Sequence, residues 1–171
     1  IQMRLAMILV MLVSAVWAHA AAFAWSASGG AGRGQRHAPL AQITPQTLGD
    51  LALAWTFRTG EPGQGFERAK DALTFEATPL LIGDTLYFDT ATGKAFALDA
   101  STGAERWRFD AQVDKSRDYS EMATRGVSFW RDEDGTPGGA CVQRILFATI
   151  DARLFALDAK SGKPCADFGN G

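Results

Sequence analysis

From residue 40 onward the chain alternates short apolar runs with turn residues, and nothing of helical length there carries a 3.6-residue period. This pattern predicts strands at Leu53–Arg58, Pro79–Ile82, Thr85–Thr90, Lys94–Asp99 and Glu105–Asp110. Gly83-Asp84 and Thr92-Gly93 between them are tight-turn pairs suited to antiparallel hairpins. Thr44-Pro45 marks the start of a short helix, with Thr as N-cap and Pro in the first helical position. The fold class is all-β.

Self-similarity organises these strands. The run through Leu86–Thr90, Phe96-Ala97-Leu98-Asp99-Ala100 and Gly103–Phe109 recurs 59 residues later, without a gap, through Ile145, Phe155-Ala156-Leu157-Asp158-Ala159 and Gly162–Phe168. Such a repeat, holding four short strands per copy, is the signature of β-propeller blades, each covering its neighbour's apolar face. Between the third and fourth strands, Asp99 is placed to bond turn amides and Gly103 to adopt a left-handed turn. Trp107 is placed to cover the junction between blades. The second copy has Ala166 in place of the Trp, so the second blade is expected to be held differently. Trp55-Thr56-Phe57 matches Trp107-Arg108-Phe109 and reads as the outer strand of a blade closed by chain from the far end. Glu76–Leu81 falls opposite Arg125–Trp130 at an offset of 49, implying ten inserted residues around 131–139. Glu76 and Arg125 then start adjacent inner strands and face the central channel.

The first residues form an address. Arg4 is followed by an apolar run, Leu5–Trp17, and by Ala18-His19-Ala20, which together make a secretory signal peptide over 1–20. The alternative is an uncleaved membrane anchor, because the apolar stretch continues to Trp25. Residues 21–38, rich in Gly, Ser and Ala, read as a flexible linker. Residues 39–171 read as part of a propeller that is incomplete at its C-terminus, and export places it in the periplasm. A net charge of −2 gives no basic face for nucleic acid, and two His with two Cys give no zinc site. Cys141 and Cys165 lie near one end of the second blade. In an exported chain a disulfide between them is expected, worth about 3 kcal/mol, with two free thiols as the alternative.

The docking element, Phe75–Leu80, Thr124–Trp130 and Asp151–Asp158 together resemble the PQQ-dependent dehydrogenases, and Pro39–Pro45 is similar to their approach to the propeller. Gly162–Gly169 resembles the glucose/quinate-type branch. The resemblance implies an eight-bladed propeller holding pyrroloquinoline quinone (PQQ) and Ca²⁺. It also implies oxidation of a sugar or polyol by hydride transfer, with electrons passed to a quinone or cytochrome c. It assigns Arg125 and Glu76 to cofactor binding, and it expects the catalytic Asp and Ca²⁺ ligands beyond residue 171. A planar, always-charged guanidinium suits the carboxylates and quinone oxygens of PQQ. The sequence departs from the family at Met122-Ala123-Thr124, where relatives carry Cys before the Arg, and this leaves the substrate open. The alternative function is a non-catalytic envelope propeller scaffold with similar repeats.

Overall fold

In a computed structural model of the chain, residues 24–30, 34–61, 73–119 and 121–169 are described. The segment expected to be a signal or anchor, 1–20, lies outside them. No helix among the described residues is long and apolar enough to cross a membrane.

The described residues form two antiparallel sheets. The first is a meander of β1 (Leu80–Ile82), β2 (Thr85–Asp89), β3 (Lys94–Asp99) and β4 (Glu105–Asp110). The second contains β5 (Ser128–Arg131), β6 (Gln143–Ala148) and β7 (Leu154–Asp158) in the order of the chain. Its fourth strand is reduced to one bridge, Leu157 with Pro164, which repeats the Leu98–Glu105 pairing of the first sheet. These are two blades of a β-propeller, and four of the expected strands match outright or are one residue shorter.

Two expected elements differ. Leu53–Arg58 is extended but pairs with no strand among the described residues. Thr44 does organise a turn, exchanging hydrogen bonds with Thr47 through both hydroxyls and both backbone N–H groups, but the helix is only a 3-10 turn at Leu48–Asp50. The linker expectation also needs correcting in part. The backbone of Trp25 pairs with Leu81 in both directions, at 2.8 and 3.0 Å, and its ring packs against the blade core and over Gly30. A large indole can leave water by lying along the free edge of β1, so this part of the stretch is docked.

Strand pairing also corrects the inner-strand alignment. Leu80 faces Tyr87 as Ser128 faces Leu146, so the innermost strands correspond at an offset of 48. The loop between β5 and β6 therefore absorbs eleven extra residues relative to the 59-residue repeat, one more than expected.

The blades are joined through tryptophan. Trp107 on β4 donates its indole N–H to the Ala159 carbonyl at 2.9 Å, and the Tyr87 hydroxyl donates to the same oxygen at 3.0 Å. The Trp107 ring lies flat on the turn of the second blade: a methyl added at Gly162, whose φ is +69°, would sit 2.6 Å from Cδ2. Trp55 treats the first blade in the same way, donating to Ala100 O at 3.2 Å and lying 2.6 Å from a methyl added at Gly103. Each Trp thus docks on the blade that follows it. The second blade is therefore held by Trp107 much as the first is by Trp55; Ala166 removes the Trp that would reach beyond it.

The phenylalanines repeat the arrangement. Phe88 stacks on Phe96 at 5.2 Å with Phe57 edge-on at 5.5 Å from Phe96. Phe147 stacks on Phe155 at 5.3 Å with Phe109 at 5.3 Å from Phe155. Residues 55–57 accordingly stand to the first blade as β4 stands to the second. Around them lies a groove of about 710 Å³, lined by Trp55, Phe57, Phe75, Phe88 and Leu98.

Each β3–β4 turn is built on an aspartate. Asp99 Oδ1 accepts from the Ser101 and Thr102 N–H groups, both at 3.0 Å, and from both hydroxyls, while Oδ2 takes Arg106 at 2.7 Å. Hydrogen bonds from Ser101, Arg106 and Thr102 hold this carboxyl well below the usual range. In the second blade Cys165 occupies the position of Arg106. It forms a disulfide with Cys141, and the Cys141 N–H fills the vacated role by donating to Asp158 Oδ2 at 2.7 Å.

Truncating Trp107 to Ala removes a buried ring at the blade junction and should cost about 3–5 kcal/mol. Gly162→Ala, which places a methyl against that ring in a left-handed backbone, should cost about 2 kcal/mol or more. Denaturant unfolding of the full-length protein checks both, and a surface substitution such as Lys163→Ala should leave stability within about 0.5 kcal/mol.

Candidate functional site

An up-and-down blade has two ends with different neighbours. The chain enters β1 and β5 at one end, where the β2–β3 and β6–β7 turns also lie; the β1–β2 and β3–β4 turns lie at the other. Glu76 and Arg125, just before the innermost strands, belong to the entering end. Cys141, Cys165, Asp99 and Gly103 belong to the opposite end, so the candidate residues divide into two groups at opposite ends of the blades.

The two approach segments run side by side. Leu73 bridges Met122 in parallel fashion, the Thr74 N–H donates to Met122 O at 3.0 Å, and the Thr78 N–H donates to Arg125 O at 3.3 Å. Gly126 permits this closeness: its φ is +110°, and a Cβ there would lie 2.7 Å from the Thr78 carbonyl oxygen. The result brings Glu76 and Arg125 together as an ion pair, Arg125 Nη1 against Glu76 Oε2. The second Glu76 oxygen accepts from the Thr74 hydroxyl at 3.0 Å. Arg125 is 78% exposed at its side chain and Glu76 34%. An exposed pair contributes little to stability, of the order of 0–1 kcal/mol. Its charged groups remain accessible to a ligand.

The site has members that periodicity did not reveal. Asp89, the last residue of β2, is 1% exposed, and its Oδ1 accepts from the Thr124 hydroxyl at 3.1 Å. Burial pushes its pKa up to about 6, against the opposing pull of the Thr124 hydroxyl and its own backbone. The available signal was a break in the repeat: Phe88 and Thr90 recur as Phe147 and Thr149, while Asp89 becomes Ala148. Glu61 is a second case, held near the β2–β3 turn by Lys94 Nζ at 3.2 Å and by the Thr92 hydroxyl.

The opposite end offers a cleft of about 510 Å³ in the β5–β6 loop, lined by Asp132, Glu133, Lys160 and Ser161 among others. Cys141, Cys165 and Asp167 cluster beside it, but both sulfurs are committed to the disulfide and are not metal ligands. Arg125 offers guanidinium donors beyond the one facing Glu76.

The family description "PQQ: Glucose/ethanol/alcohol dehydrogenase, beta-propeller domain" matches residues 25–171. The chain is 38% identical over 150 residues to the quinoprotein glucose dehydrogenase of Escherichia coli K12, covering 85% of this chain and 19% of that protein. It is 35% identical to the glycerol dehydrogenase large subunit of Gluconobacter oxydans 621H, covering 86% of this chain and 20% of the relative. Among solved structures, the quinohemoprotein alcohol dehydrogenase ADHIIG of Pseudomonas putida HK5 superposes with a TM-score of 0.66 at 28% identity. That match covers 85% of this chain and 20% of the other. The chain thus spans about a fifth of the length of these relatives.

The buried carboxyl at Asp89 makes stability fall as pH rises. With its folded pKa above the ordinary 3.8, the folded state binds more protons than the unfolded state between pH 3.8 and about 6. Asp89→Asn removes this titration. It should match the wild type near pH 4 and exceed it above pH 6, by at most about 3 kcal/mol. Thermal unfolding of the two proteins from pH 4 to pH 8 checks the sign.

Proposed function

The chain belongs to the β-propeller family of PQQ-dependent glucose, ethanol and alcohol dehydrogenases. From that premise we propose that the full-length protein oxidises the CH–OH group of a sugar or polyol using bound pyrroloquinoline quinone. The observation that carries the reading is the Arg125–Glu76 pair at the entering end of two adjacent blades.

When bound, PQQ supplies the two-electron oxidant, accepting hydride from the substrate carbon. Arg125 would bind and orient it: a planar cation with several donors complements its carboxylates and quinone oxygens. A fixed positive charge beside the quinone oxygens also favours the reduced, more anionic state. Glu76 would hold one edge of the guanidinium so that another is presented to the ligand. The Thr74 hydroxyl donates to the other Glu76 oxygen and fixes the carboxylate's orientation. Gly126 brings the two approach segments close enough for both side chains to meet one ligand.

This reading assigns neither the general base nor a Ca²⁺ ligand to the described residues. Electrons would pass to a quinone or to cytochrome c. Residues 1–20 would export the protein to the periplasm, or anchor it at the membrane. The likeness to proteins named as glucose and glycerol dehydrogenases supports a sugar or polyol substrate.

The test reconstitutes the full-length protein with PQQ and Ca²⁺ and follows dye reduction with glucose, quinate and simple alcohols. Reduction is expected with at least one of these, and Arg125→Ala should weaken PQQ binding by about tenfold or more. If PQQ does not bind and no compound drives dye reduction, the protein is a non-catalytic propeller scaffold.

A further inference from the structure

We propose that Asp89 is a positioning residue of the cofactor site, acting through the Thr124 hydroxyl to hold Arg125; this rests on the assignment of Arg125 to PQQ. The blade fold does not itself require an acid here. Ala148 occupies the equivalent place in the second blade with the flanking Phe and Thr retained, so Asp89 is an addition to the repeat. It is an expensive addition, since an almost fully buried carboxyl has left water for a single side-chain hydroxyl. What it obtains is a tie across the blade junction, from the end of β2 to the residue immediately before Arg125.

Arg125 needs such a tie. Its charged partner among the described residues is Glu76, and a pair this exposed does not fix a long side chain. Orientation must come from the backbone. On one side the Thr74 and Thr78 N–H groups hold the carbonyls of Met122 and Arg125. Between those two carbonyls, Thr124 is held by its side chain to Asp89 at 3.1 Å. All three tethers come from the first blade, so removing the Asp89 contact frees the segment where it carries the guanidinium.

The test measures PQQ affinity by titration of the full-length apoprotein, together with its thermal midpoint. Thr124→Val keeps the shape and deletes the hydroxyl, and Asp89→Leu deletes the acceptor; each should raise the PQQ dissociation constant about fivefold to tenfold. Thr124→Ser and Asp89→Asn keep donor and acceptor and should stay within about twofold of wild type. The double variant should be little worse than either single, because both break one contact. The apoprotein midpoint at pH 7 should not fall for Asp89→Asn. The proposal is overturned if Thr124→Val binds PQQ as the wild type does while Arg125→Ala does not. It is equally overturned if Thr124→Ser loses as much affinity as Thr124→Val, which would show that shape and not the hydroxyl matters. If Arg125→Ala itself retains full affinity, the functional reading fails first, and the two failures are thereby told apart.

Discussion

Each blade of this molecule depends on an apolar face that it cannot cover alone, and the tryptophan seated on the next blade's turn glycine sets how the covering is done. The contact combines a ring laid on a glycine that has no side chain to keep it away with one indole N–H aimed at a backbone carbonyl. Dispersion and burial make it strong. The single hydrogen bond makes it directional, since an indole displaced along the turn would leave that buried donor without its partner. Once Trp107 is seated on Gly162, the inner edges of the two blades are also fixed relative to each other. The paired approach segments, close at Gly126, then bring together two exposed side chains far apart in sequence, Glu76 and Arg125.

The two ends of the blades carry different burdens. At the turn end, aspartate, glycine and tryptophan maintain the stack. At the entering end, the approach segments are compressed against each other at Gly126, and charged groups are left accessible beside a buried acid. Family membership places this geometry among PQQ-dependent dehydrogenases. The ion pair and its tethers are what these two blades offer to the proposed cofactor site. Stability is conceded there: a buried carboxyl with a raised pKa and an Arg in water are poor choices for packing and reasonable ones for a ligand.

The repeat made most of the fold legible, because a gapless copy of Phe-Ala-Leu-Asp with its glycine specifies both a strand pair and the turn beside it. Residues before the innermost strands were harder to place. Sequence matching set Glu76 against Arg125, which is how the ion pair lies, yet the sheets themselves correspond one residue earlier. Pairing register inside a blade depends on backbone partners, and these are not written in the residues being aligned. The direction of tryptophan docking was missed for a related reason: Trp107 belongs to one blade by sequence and serves the next in space. Asp89 escaped notice because an acid at the end of an apolar strand looks like an ordinary turn residue until its burial and its bond to Thr124 are seen.

Where the first blade ties its aspartate turn with Arg106, the second uses a cystine and a backbone N–H. The two blades therefore answer to different surroundings. Rising ionic strength weakens the partly exposed guanidinium contacts of the first and also the Arg144–Asp167 pair of the second. A reducing milieu spares the first and loosens the second, since opening the cystine releases the loop that supplies the Cys141 N–H. Neighbouring copies of one repeat thus differ in which solution conditions they tolerate, since a thiol reagent has a bond to open only in the second.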